Sequence, residues 1–81
     1  MKKIELEKLL KDNNVNPNSY DLSGSLGDNK YCLLIVPNGI CSVYYTEKGK
    51  KHDEKRFHTE DEACDYFYKF ILEDETVFLK K

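Results

Sequence analysis

Val43-Tyr44-Tyr45-Thr46-Glu47-Lys48-Gly49-Lys50-Lys51, running on to Phe57-His58-Thr59-Glu60-Asp61-Glu62-Ala63-Cys64, carries the clearest local signals in the chain. It reads as an aromatic strand, a basic glycine turn, a short return strand and a sharply capped acidic helix. The Thr59 hydroxyl is placed to accept from the backbone N–H of Glu62 while the Glu62 carboxylate reaches back, the pattern of a capping box. Glu60 and Asp61 add negative charge at the positive end of the helix dipole. At about 100° per residue, Ala63, Phe67, Phe70 and Ile71 share one side of that helix, with Cys64 and Tyr66 on its flanks, and this side is the expected core face.

Working outward, His52 to Phe57 carries the charge load of an edge strand, and Ile40 to Thr46 is the strand before it. Asn38-Gly39 between two strand-like runs predicts a hairpin with a type I′ turn. Tyr31 to Val36 is apolar on both faces, as expected of a central strand covered on both sides, or covered on one side and meeting a partner on the other. Tyr20, Leu22 and Leu26 alternate with Asp21, Ser23 and Ser25, which predicts a half-buried strand ended by Gly27-Asp28-Asn29. Residues 3–13 place Leu6, Leu9, Leu10 and Asn13 on one side of a helix, with Glu7 and Lys11 four apart in the favourable order. Asn13-Asn14 and Asn16-Pro17-Asn18 end it. Val77-Phe78-Leu79, within residues 74–81, either docks back on the core or frays. The expected architecture is a single α+β domain over residues 1–81. An N-terminal helix, a three- to four-stranded antiparallel meander and a C-terminal helix pack on one sheet face through Leu6, Leu9, Leu10, Phe67, Phe70 and Ile71. A parallel strand pair is not expected, because its crossover needs a longer connection than these turns offer.

Eighty-one residues have room for one core and a shallow groove. The net charge of −2 is too small to imply nucleic acid or a membrane, but the charge is polarised. Residues 59–75 hold seven acids against Lys69 alone, while five of the thirteen basic residues fall between Lys48 and Arg56. An acidic end of this kind steers basic partners. Met1-Lys2-Lys3 is followed at once by Glu5 and Glu7, which is not a secretory signal. No run of about 18 apolar residues is present to span a membrane. Cys32, Cys41 and Cys64 are an odd set without close C-x₂₋₄-C spacing, so they read as buried, reduced thiols. The expected compartment is the cytoplasm.

No catalytic constellation emerges. His52 and His58 match no metal spacing, and pairing either with Cys41 or Cys64 leaves a nucleophile without an orienting group or an oxyanion donor. The carboxylates near Asp61 and Asp65 have no apolar surround to raise a pKa. No glycine motif cradles a phosphate, and no cofactor is implied. Tyr44 and Tyr45 among Lys48, Lys50, Lys51, Lys55 and Arg56 resemble an RNA-binding face, yet the domain is acidic overall, so no nucleic-acid partner is expected. One feature stands out. Asp61, Asp65, Tyr68 and Leu72 lie on the last helix roughly 140–200° from Ala63, which makes an apolar pair rimmed by acids. Two readings are open: a protein-binding stripe, or a face packed against Val77-Phe78-Leu79.

Residues 31–72 resemble the small immunity proteins that bacteria encode beside polymorphic and contact-dependent toxins. The likeness rests on Val43-Tyr44-Tyr45, Glu47-Lys48-Gly49, Phe57 and Thr59-Glu60-Asp61-Glu62-Ala63-Cys64-Asp65-Tyr66-Phe67. It implies a cytoplasmic, non-enzymatic protein that binds one cognate toxin C-terminal domain and covers its active site or substrate path. A basic nuclease would be met by charge, and an NAD-consuming toxin would be blocked by shape. The alternatives are a general protein-interaction or regulatory domain and, less well supported, a small nucleic-acid-binding protein.

Overall fold

Thr59 starts the C-terminal helix as its sequence predicts. Its hydroxyl accepts from the Glu62 N–H at 3.2 Å, and the Glu62 carboxylate reaches back to that same hydroxyl at 3.1 Å. The computed structural model describes residues 1–24 and 27–79. Their order is α1 (Lys3–Asp12), a 3₁₀ turn (Pro17–Ser19), β1 (Tyr20–Asp21), β2 (Lys30–Leu34), β3 (Cys41–Glu47), β4 (Lys50–Phe57), α2 (Glu60–Leu72) and a second 3₁₀ turn (Glu75–Val77). The four strands form one sheet in the order β1-β2-β3-β4. The fold is α+β, with both helices against one face of the sheet.

The sheet is mixed rather than a purely antiparallel meander. β2–β3 and β3–β4 are antiparallel, but β1 pairs with β2 in parallel, Tyr20 opposite Tyr31 and Asp21 opposite Cys32. The usual demand for a long crossover assumes a strand of ordinary length. Two residues rise only about 7 Å, so the short segment after Asp21 suffices to bring the chain back. Of the half-buried strand expected from Tyr20 onward, the structure keeps Tyr20–Asp21 and buries Leu22. Ser25 and Leu26 lie outside the described residues, as do residues 80 and 81.

The hairpins also divide differently from expectation. Asn38 is left-handed (φ 59°) but Gly39 is not, and residues 35–40 form a longer loop closed by Gly39 N–H donating to Val36 O at 3.0 Å. A Cβ at 39 would meet Val36 Cγ1 at 2.6 Å, so any other residue there would have to displace that exposed side chain. The two-residue left-handed link is instead Lys48-Gly49 (φ 53° and 75°), joining β3 to β4 where Glu47 pairs with Lys50.

Leu6 and Leu10 of α1, Ala63, Cys64, Phe67 and Ile71 of α2, and Leu33, Cys41 and Val43 of the sheet build the core. Phe70 is half-buried and packs against it, whereas Leu9, expected in the core, is half-buried and not among the residues packed there. Alternation puts Cys32, Ser42, Tyr44 and Thr46 on the other sheet face, where they are nonetheless buried. Lys51 Nζ lies 4.7 Å from the Tyr44 ring centroid there. β2 is therefore covered on both sides, as its continuous apolar run predicts. The C-terminal segment docks: Asn16 N–H donates to Val77 O and Leu79 N–H to Asn14 O, both at 2.7 Å, and Val77 is buried.

Phe67 is the largest apolar side chain at the centre of this core. Phe67→Ala is expected to lower unfolding free energy by about 3–5 kcal/mol in urea denaturation, whereas a loss below about 1 kcal/mol would mean that α2 does not seat as described.

Candidate functional site

The stripe Asp61, Asp65, Tyr68 and Leu72 is gathered on one flank of α2, and α1 lies along that flank. Asp61 pairs with Lys2 Nζ at 3.1 Å and with the Met1 amino group at 3.3 Å, and Asp65 holds the same amino group at 2.9 Å. Glu60 accepts the Lys3 backbone N–H at 2.8 Å, so α2 caps α1, whose own Lys2 offers no side-chain cap. Two turns on, Asn13 Nδ2 donates to the Tyr68 hydroxyl at 3.2 Å. Tyr68 and Leu72 are half-buried and pack against the core cluster, so they do not point away from it as their helical angles alone predict. A helix packed on a sheet has two flanks as well as a core face, and the second helix covers one of them.

The two aspartates stay more than half exposed, at 52% and 58%. The hydrogen bond to Asp65 raises the Met1 amino pKa, Asp61 raises that of Lys2, and Lys2 lowers that of Asp61. Such solvated pairs orient α1 but add little stability.

The opposite flank has no helix beside it among the described residues. There, five aromatic rings form an unbroken ladder from β3 across α2 to β4. Tyr45 meets Tyr31 edge-on at 4.8 Å, Tyr31 meets Phe70 edge-on at 5.0 Å, Phe70 stacks with Tyr66 at 5.5 Å, and Tyr66 contacts Phe57 at 5.2 Å. All five are half-buried. Tyr31 donates to Asp74 Oδ2 at 2.8 Å and Tyr45 to Asn29 Oδ1 at 3.3 Å, but the Tyr66 hydroxyl has no partner among the described residues. Glu62, Lys69 and Glu73 are exposed along this flank. The pattern Glu62, Tyr66, Phe70, Glu73 has helical spacing and was open to reading in the sequence. It passes there for the margin of the core, since nothing local says which flank α1 will take.

Other groups are quiet. Cys32, Cys41 and Cys64 are buried and form no disulfide among the described residues, and burial pushes the Cys64 thiol up to about 11, which suppresses its thiolate. His52 and His58 are exposed, and no cluster among the described residues could hold a metal ion. No helix among them is long and apolar enough to cross a membrane. A shallow groove of about 360 Å³ lies between α1 and β1, lined by Glu7, Lys11, Tyr20, Asp21 and Leu22.

Asp74 ties the ladder to the C-terminal segment. Its carboxyl is held below the ordinary 3.8 first by the Thr76 hydroxyl, then by the Thr76 backbone N–H, with the Tyr31 hydroxyl contributing less. A depressed carboxylate stabilises the fold above its unfolded pKa and loses that contribution as pH falls through the folded value. Asp74→Asn should therefore be less stable than the parent near neutrality, with the gap closing as pH drops below 3.8. Urea unfolding across that range reads it, and a gap independent of pH would refute the charge-based account.

Comparison with protein-family models, with curated proteins and with solved structures finds no match to this chain.

Proposed function

We propose that this chain is an immunity-type binding protein that neutralises a cognate bacterial toxin domain by stoichiometric binding, in the cytoplasm and without chemistry of its own. The observation that carries the reading is the ring ladder left half-exposed on the open flank of α2. Aromatic side chains, above all tyrosine, are enriched at the centres of protein interfaces because they remove large apolar area at low entropic cost while keeping a polar tip. Tyr66 fits that role: its ring is anchored by Phe57 and Phe70, and its hydroxyl is left for a partner. The resemblance over residues 31–72 supplies the class of partner, a toxin C-terminal domain whose active site or substrate path is covered.

The two flanks of α2 can be told apart by experiment. Co-purification with the product of the neighbouring gene, followed by calorimetry, should give Tyr66→Ala a loss of about 2 kcal/mol or more in binding. Tyr68→Ala, on the flank held by α1, should keep near-parent affinity and lose stability instead. The reverse ranking would move the interface to Asp61, Asp65, Tyr68 and Leu72. The absence of any tight protein partner would remove the immunity reading.

A further inference from the structure

The open flank of α2 overhangs the place where the sheet stops. β4 is an edge strand of eight residues, with β3 on one side and, among the described residues, no strand on the other. α2 packs over β2, β3 and β4, and the Phe57–Tyr66 contact places that part of the exposed flank above the end of β4. Of the ladder rings, Phe57 and Tyr66 therefore stand at the open edge of the sheet, while Tyr31 and Tyr45 stand on β2 and β3.

The charge at this edge has a sign. Lys50, Lys51, Lys55 and Arg56 stand against Asp53 and Glu54. Glu54 is engaged by Lys51 and Arg56, each at 3.6 Å. Lys48, Lys50 and Lys55 have no ion pair among the described residues. At the start of α2 the reverse holds, since Glu60, Asp61 and Asp65 are already met by the start of the chain. Folding thus leaves uncompensated positive charge along β4. A shift of register between Val43 and Tyr45, with Asp53 left-handed at φ 55°, breaks the edge into Lys50–His52 and Glu54–Phe57. Charge and a bulge bar indiscriminate strand pairing. The same two features admit a segment of opposite charge and reject one of like charge.

We infer that the toxin partner docks an extended acidic segment as a fifth strand along β4, principally at Glu54–Phe57, and packs its inward side chains beneath Tyr66 and Phe57. The inference rests on the proposed binding function and specifies its mode. Main-chain hydrogen bonds supply affinity in such strand addition, and pockets for alternate side chains supply selection. Here Lys55 and Phe57 lie on the helix side of β4, opposite Val43 and Cys41 of the core face, and Arg56 lies on the other side, opposite Ser42. An alternating segment would meet lysine and aromatic groups on one side and arginine on the other.

The test uses the full chain, labelled with ¹⁵N, and the peptide acetyl-Thr-Glu-Val-Glu-Val-Glu-Thr-amide. Saturable amide shifts confined to β4, with ring shifts at Phe57 and Tyr66, are expected. The version with lysine in place of glutamate should bind at least about fivefold more weakly, the scale of about 1 kcal/mol. Lys55→Glu, a change at an exposed site, should weaken the acidic peptide to a similar degree. No saturable shift at β4, equal binding of the lysine peptide, or an unchanged affinity in Lys55→Glu would each overturn strand addition. Co-purification of a toxin with a protein that ignores the acidic peptide would discard this docking mode while keeping the immunity reading. Peptide binding at β4 without any toxin partner would keep the strand site and discard the immunity reading.

Discussion

Everything on the helical side of this protein depends on a constraint of geometry: α2 has one core face and two flanks, and a chain of this size has one other helix to cover them. Ala63, Cys64, Phe67 and Ile71 seat the core face. α1 then takes the flank of Asp61, Asp65 and Tyr68, and the flank of Tyr66 and Phe70 is left without a helical neighbour. The choice between flanks is made by side chains at the two ends of the seam. Glu60 supplies the cap that α1 lacks, the aspartates hold Met1 and Lys2, and Asn13 closes the far end on Tyr68. Each contact is weak alone because it is solvated. Together they set position while Leu6 and Leu10 supply the apolar burial.

That seam also changes the meaning of the charge distribution. Read along the chain, residues 59–75 are an acidic block that faces basic partners. In the fold, Asp61 and Asp65 face cations of the same molecule, Glu60 accepts a backbone N–H, and Asp74 is engaged by Tyr31 and Thr76. Part of the acidic block is thus met within the molecule, while Glu62 and Glu73 stay exposed on α2. A linear charge count cannot reveal this, because ion pairs between residues some sixty positions apart exist only after α1 and α2 meet.

The elements set by local chemistry were legible before the structure. Thr59 and Glu62 mark the start of α2, and the spacing of Phe67 and Ile71 marks its buried side. Leu6 and Leu10 do the same for α1, and the two-sided apolar run of β2 announces a strand covered on both faces. What escaped the sequence was decided by length and by neighbours. β1 is so short that the rule against tight parallel connections does not bind it. Asn38-Gly39 carries the strongest hairpin signal, yet Gly39 is not left-handed, and the tight left-handed turn falls to Lys48-Gly49. Asp61, Asp65, Tyr68 and Leu72 do share one flank, as their spacing predicts, but Tyr68 and Leu72 are half-buried there and α1 lies along it. Helical angle fixes which residues share a flank, and only the position of α1 says which flank remains open.

In the proposed binding function a chain of this length has no room for a deep site, so specificity would be built on edges and flanks. An exposed aromatic flank alone would be indiscriminate, since apolar area attracts any partner with apolar area to bury. An open strand edge alone would pair with any extended chain. Placed side by side they restrain each other. The ladder offers gain only to a segment that lies under α2, and the lysines and bulge of β4 admit only a segment whose charge and register fit there. Selectivity in this arrangement comes from the overlap of two surfaces that are each permissive alone. Moving either one, by shortening β4 or by rotating α2 on the sheet, would cost recognition even if every side chain stayed the same.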